Sequence, residues 1–394
     1  MIGLIKQLQE LQRRTPLGWR QLSHDKGRML VATAGIAFAD ILMFMQLGFQ
    51  NALYSSNTRL HQVLEADIIL ISTQAQNLIN LSDFPRRRLY QAMNVAGVES
   101  ADVFYAKVAR WKNPQTREKS SILVVGFNPD RPAFDLPELK QNARDMKLPD
   151  TVLFDQGSRG DYKQAIAQIQ QGKTVTTEID RRTITISGLF NVGASFAADG
   201  SIMTSDENFL RLFPKQQASS INAGLIHLQP GADPVQVQTA LKAYLPNDVK
   251  VLTKSEFIEF EKNYWFTNTA IGFVFNLGVG MGFIVGVIIV YQVLSTDVSD
   301  HLAEYATFKA MGYRSMYLLS IVFEEALILS ILGFLPGVGI SVGLYALTRK
   351  ATNLPMYMTL TRAFMVLTLT LIMCIISGAI ATRKLQAADP ADIF

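Results

Sequence analysis

Four histidines, one cysteine and a few carboxylates set among apolar residues are the groups with which this 394-residue chain could do chemistry. A metal centre needs donors at short, repeated spacing. His24, His61, His227 and His301 are scattered singly, so a resident metal is not expected. A P-loop needs G-x-x-x-x-G-K-[ST] so that backbone amides can wrap a phosphate. Gly172, Lys173 and Thr174 supply the last three letters, but Ala167 stands where the first glycine is required. A nucleophile elbow of the G-x-S-x-G type needs a glycine two places after the serine; Ser195 is followed there by Ala197. With no catalytic cluster, cofactor or metal expected, the chain is read as a non-enzyme.

The remaining candidates are charges in apolar surroundings, which count as functional by default because an uncompensated charge in hydrocarbon is costly. Asp40 lies near the middle of an apolar run. It is either a contact that rearranges in a conformational cycle or a hydrogen-bonding partner that holds helices together. Glu324 and Glu325 are adjacent, hence about 100° apart on a helix, and both are placed at a membrane interface where another run begins. Asp300, Glu304, Phe308 and Lys309, with Gly312 as a stop, form a short mixed-charge helix just ahead of that run. Such a segment lies on a membrane surface on one side of a turn and enters the bilayer on the other. That shape suits a part that takes a push from a soluble partner.

The elements that position these groups follow from composition. A hydrophobic fraction of 49% and a mean hydropathy of +0.17 exceed what a soluble domain needs. The surplus is concentrated in four runs, here bounded as residues 29–53, 269–294, 317–345 and 363–382. Each reaches the roughly 20 residues that cross hydrocarbon with backbone hydrogen bonds satisfied internally. The first run is too long for a signal-peptide core and is read as an uncleaved anchor.

Charge sets the expected orientation in an inner (plasma) membrane. Lys6, Arg13, Arg14, Arg20, Lys26 and Arg28 precede the first run, against Glu10 and Asp25. This positive excess places the N-terminus in the cytoplasm, and four crossings return the tail, residues 383–394, to the same side. Arg349, Lys350 and Arg362, in the expected outer loop 346–362, argue the other way but are fewer. Residues 1–28, with Ile2, Leu4, Ile5, Leu8 and Leu11 at helical spacing, read as an amphipathic helix on the headgroups. The net charge of +4 resides mostly in these flanks, where it meets a lipid membrane rather than nucleic acid. Cys374 lies inside the fourth run, so no disulfide supports the rest of the chain.

Between the first two runs, residues 54–265 form one expected extracytoplasmic α+β domain. Strands are predicted over 66–72, 102–111 and 120–127, and a helix over 84–94; near the far end come strands 221–228 and 249–253 around a helix over 233–245. A strand-helix-strand unit near each end reads as one subdomain, 54–127 with 221–253, split by a mainly β insertion at 128–220 that contains strands 174–179 and 183–190. Residues 254–268 read as a helical stalk running continuously into the second span. Gly278, Gly282 and Gly286 repeat G-x-x-x-G in that span, and Gly333 with Gly337 and Gly339 with Gly343 do so in the third, beside Pro336. Small residues at this spacing let helix backbones approach closely, without saying which helices pair.

One span, a large domain and three further spans, together with AEYATFKAMGYR (Ala303 to Arg314) and FEEALILSILGFLPG (Phe323 to Gly337), resemble the FtsX/MacB-like permease family of ABC transporters. Glu304, Lys309, Ala310 and Gly312 fall on that family's coupling-helix pattern, here 297–314, and Glu325, Ala326, Ser330, Gly333 and Gly337 on the start of its third span; Ala303 replaces the usual arginine. The ATRKLQAADPADIF tail is most similar to the DevC branch, from heterocyst-type exporters. The resemblance implies a type VII, MacB-like fold whose split outer domain has porter-like and sabre-like parts. It also implies a homodimer, a separate DevA-like ATPase that binds the ATP and magnesium, a DevB-like periplasmic adaptor, a TolC-like outer-membrane duct and a glycolipid cargo. The alternatives are an FtsX-like regulator of a wall hydrolase, a lipoprotein extractor, or a membrane-anchored receptor without an ATPase.

Overall fold

The computed structural model describes Trp19, Leu22, His24, residues 25–301, Glu304, Thr307, Met311 and residues 315–387, with backbone alone for 315–319 and 383–387. In chain order the helices are α1 (Lys26–Asn57), α2 (Arg59–Val63), α3 (Arg87–Ala92), α4 (Pro137–Gln141), α5 (Lys163–Gln170), α6 (Asp206–Leu212), α7 (Pro234–Tyr244), α8 (Lys254–Thr267), α9 (Ala270–Asp300), α10 (Ser315–Thr352) and α11 (Leu360–Ala387). The strands are β1 (Ile68–Ser72), β2 (Phe84–Pro85), β3 (Val98–Lys112), β4 (Lys119–Phe127), β5 (Thr151–Asp155), β6 (Val175–Ile179), β7 (Arg182–Phe190), β8 (Gly200–Ser205), β9 (Ser220–Ile221), β10 (Ala223–Leu228) and β11 (Val249–Thr253). They divide into a helical unit (Met1–Asn51, Phe273–Thr348, Met356–Phe394) and a sheet unit (Ala52–Gly272, Arg349–Pro355).

The helical unit contains four helices long and apolar enough to cross a membrane, α1, α9, α10 and α11. They share a core of Ile36, Ala39, Val290, Leu294, Ala326, Leu329, Met373 and Cys374. Pro336 stands inside α10, and the helix continues through it to Thr352.

In the sheet unit nine strands run in the order β11-β1-β10-β3-β4-β8-β5-β7-β6. β1, IILIS, is buried along its whole length, as a β-branched run covered on both faces should be. It lies between β10 and β11, so the strands from both ends of the domain interleave in one subdomain. β6 pairs back onto β3 through Trp111 and Lys112, which closes β3-β4-β8-β5-β7-β6 into a six-stranded ring. Inside, Trp111 stacks on Phe154 with centroids 5.3 Å apart and donates to Tyr162 Oη at 3.1 Å.

Four boundaries differ from the sequence reading. Residues 128–220 do not build a separate lobe: β5 to β8 extend the first sheet, because β4 pairs in parallel with β8. The stalk is not continuous with the second span, since α8 ends at an Asn268 cap and α9 starts at Ala270. The Thr269 hydroxyl there bonds back to the Trp265 carbonyl. The first residues assigned to the coupling helix, Asp297 to Asp300, are instead the last turn of α9. The loop before α11 is shorter than 346–362, because α10 runs to Thr352 and α11 begins at Leu360. The amphipathic helix expected over 1–28 lies outside the described residues apart from Trp19, Leu22, His24 and the start of α1.

Helix starts in the sheet unit are chemically marked. Asp233 accepts from Val235 N with Pro234 in the first turn of α7. Thr253 and Glu256 form a reciprocal capping box on α8. Thr253→Ala is expected to lower unfolding stability by about 1 kcal/mol. Thermal unfolding of the full chain checks this, and an unchanged midpoint would show that the cap contributes nothing.

Candidate functional site

Polar contacts tie the helices of the bundle at three levels, and α1 takes part in each. At one end, the Arg28 guanidinium reaches Asp300 Oδ2 at 2.6 Å, Asp297 Oδ1 at 3.6 Å and Asp25 Oδ2 at 3.5 Å. His301 Nδ1 stands 3.0 Å from the Asp297 backbone oxygen and 3.6 Å from its carboxylate. Asp297 and Glu325 are buried, while the Asp300 side chain is half-exposed. α1 and the end of α9 therefore meet in one charged cluster.

In the middle, Thr370 on α11 donates its hydroxyl to Asp40 Oδ1 at 2.6 Å and shares it with the Val366 carbonyl at 2.8 Å. At the other end, Tyr345 donates to the Phe44 carbonyl. The guanidinium of Arg362 covers the Tyr345 ring at 5.5 Å and bonds the Tyr357 carbonyl at 2.8 Å. Charge-assisted bonds like these are stronger where water is excluded.

Close backbone approach complements the polar ties. A Cβ on Gly333 would stand 2.5 Å from Ile36 Cβ, and one on Gly337 would stand 3.0 Å from Asp40 Cβ. Gly282 faces Ala39, Leu42 and Met43, Gly278 faces Gln46, and Gly286 faces Ala39 with Met373. Gly278, Gly282 and Gly286 of α9 and Gly333 and Gly337 of α10 thus lie against α1, one stripe from each helix. Gly339 and Gly343 have nothing within 4 Å.

The structure brings Asp300, Glu325, Asp40, Gly278, Gly282, Gly286, Gly333 and Gly337 into one bundle around α1. Glu304 is exposed, with Thr307 and Met311 exposed at helical spacing beyond it. Phe308, Lys309 and Gly312 lie outside the described residues. Glu325 is fully buried among the helices, whereas its neighbour Glu324 is half-buried. Asp297, Arg28 and Thr370 were not anticipated as a site. Arg28 carried a signal, as the last cation before an apolar run. Thr370 carried none, because a helical threonine is satisfied by its own i−4 carbonyl.

Residues 276–390 match the family model described as the FtsX-like permease C-terminal. No curated protein matches the chain. Among solved structures it is similar to the periplasmic region of MacB from Actinobacillus actinomycetemcomitans, at 9% identity over 53% of this chain and 98% of that one, with a TM-score of 0.34. It is also similar to the extracellular domain of the noncanonic ABC-type transporter YknZ from Gram-positive bacteria, at 11% identity over 48% and 98%, with a TM-score of 0.32.

Proposed function

We propose that this chain is the membrane-spanning permease of an ABC-type transporter and works by mechanical transmission. A separate ATPase of the DevA kind grips segment 297–314 from the cytoplasm, and the bundle hands the movement on to the sheet unit. The observation that carries this reading is the family match over 276–390, which takes in α9, α10, α11 and the charged segment between them. The charged cluster supports it, since a push on that segment meets Asp300 and Asp297 and, through Arg28, reaches α1.

Several of the bundle's hydroxyl groups engage one another or nearby backbone. Ser330 bonds the Leu327 carbonyl, Ser377 the Val287 carbonyl and Thr370 Asp40. Movement of cargo outside the bundle accords with this better than a channel through it. The cargo is then a glycolipid or other hydrophobic molecule, passed by a homodimer to a DevB-like adaptor and a TolC-like duct.

Glu304→Lys is expected to reduce stimulation of the partner ATPase roughly tenfold, the order of one lost charged contact at an interface, with membrane insertion intact. Complexes affinity-purified from native membranes supply both the partner's identity and the assay. Unaltered stimulation removes the segment from this role, and purification with no ATPase present removes the transporter reading.

A further inference from the structure

The loop from β7 to β8, residues 191–199, holds an aromatic ring out from the sheet unit while its own backbone is pinned. Phe196 is 45% exposed, and the run from Asn191 to Ala198 carries no charge. Asn57, the last residue of α1, accepts from the backbone N–H of Phe196 at 3.0 Å and of Ala197 at 3.3 Å. The Ser195 hydroxyl oxygen accepts from Ala197 N at 3.2 Å and Ala198 N at 3.0 Å. Arg59 donates to the Val192 carbonyl at 3.2 Å and Arg159 to the Ser195 carbonyl at 2.9 Å. Asp155 holds the amides of Val192 and Gly193. A loop tied at so many points keeps its tip in place, so the exposure of Phe196 belongs to the fold.

The level of this tip along the chain's two legs identifies what meets it. The sheet unit begins at Ala52 and its main segment ends at Gly272, so it is continuous at both ends with membrane-length helices, α1 and α9. Asn57 stands four residues past Leu53, where the first apolar run ends. At the helical rise this fixes the Phe196 amide about 6 Å beyond that run. On the other leg, the Phe196 ring meets Trp265 edge-on at 6.4 Å, and Trp265 meets Tyr264 at 5.5 Å. Phe266 follows, 49% exposed, shortly before α9 begins at Ala270. Aromatic rings collect at this level because the headgroup layer accepts an apolar ring beside polar groups. Covering by another protein calls for a wide apolar patch, and the residues beside the tip, Asn191 and Ser195, are polar. A fluid lipid surface takes up a single ring without one.

We propose that Phe196 is a bilayer anchor: loop 191–199 inserts this ring into the headgroup layer where α1 and α9 emerge, a third attachment that does not cross the membrane. Through Asn57 and Trp265 the ring is tied to both legs, so a movement of either one shifts it in the lipid. That consequence for transmission rests on the permease reading. The anchor itself rests on the membrane-length helices and the loop's contacts, and its test needs no ATPase.

The test uses the full-length protein in nanodiscs of phosphatidylcholine and phosphatidylglycerol. Cys374→Ser removes the chain's one cysteine, and Phe196→Cys in that background carries the environment-sensitive fluorophore NBD. Val235→Cys, at a 62% exposed position of α7, is the matched control. Emission from position 196 is expected to be blue-shifted against the control, quenched by lipid spin-labelled near the headgroup, and quenched several-fold less by aqueous iodide. Phe196→Trp needs neither the cysteine change nor the label, and its added emission is expected to be quenched by brominated lipid. Iodide quenching equal to the control, with no quenching by lipid, overturns the anchor. Protection from iodide without quenching by lipid also overturns it, since a protein surface then covers the ring.

Discussion

Gly333→Leu is expected to loosen the four-helix bundle by about 3 kcal/mol, the upper part of the range for overpacking. The added Cβ alone would stand 2.5 Å from Ile36 Cβ and Cγ2 and 3.4 Å from the Thr33 carbonyl oxygen. Ile36 is fully buried and β-branched, with essentially one rotamer open to it in a helix, so it cannot swing aside. The remaining response is for α1 and α10 to separate, which stretches the contacts of Gly337 with Asp40 and of Tyr345 with Phe44. The matched control is Gly339→Leu, where nothing lies within 4 Å, and its change is expected to stay within about 0.5 kcal/mol. Thermal melts of the two detergent-purified variants decide the matter. Equal melts would mean that α10 does not pack on α1 through Gly333.

Asp155→Ala should cost the sheet unit about 3–5 kcal/mol, the range for stripping a buried charge from its partners. The side chain is fully buried at the end of β5. It accepts from Gly157 N at 2.9 Å, Val192 N at 3.1 Å, Gly193 N at 2.8 Å and the Ser201 hydroxyl at 3.1 Å. Alanine leaves these donors unpaired in a dry setting. Asp155→Asn keeps one acceptor oxygen and should lose less. Burial pushes the Asp155 carboxyl above the usual aspartate range, while the N–H groups of Gly157, Val192 and Gly193 and the Ser201 hydroxyl pull it back. Because the folded value is raised, this group's contribution is largest below the ordinary aspartate pKa. It declines as pH rises toward the folded value. Asp155→Asn should abolish that slope. Urea unfolding of the full chain, followed by the fluorescence of Trp111, measures both effects. A loss below about 1 kcal/mol in Asp155→Ala would show that water replaces the carboxylate.

The four membrane-length helices were legible because length and apolarity are local properties, and a crossing helix must satisfy its own backbone. Strands such as β1 and β4 were legible for a similar reason: a run of β-branched residues fits a pleated, buried surface wherever it lies. β5 and β8 were not singled out, and their omission hid the ring closed by β6 on β3. In the bundle, small-residue spacing identified the glycines but not their partner. That α1 receives both stripes depends on residues hundreds of positions apart, as do the bonds from Arg28 to Asp300, 272 positions away, and from Thr370 to Asp40, 330 positions away.

Crossing number, the mixed-charge segment before α10 and the absence of a catalytic motif could therefore be read from residue order alone, since each depends on neighbours along the chain. The burial of Glu325 and Asp297, the central place of α1 and the joining of 128–220 into one sheet emerge from packing. A side chain's solvent exposure and its partners are set by whichever distant element comes to rest against it, and periodicity along one helix or strand carries no information about which element that is.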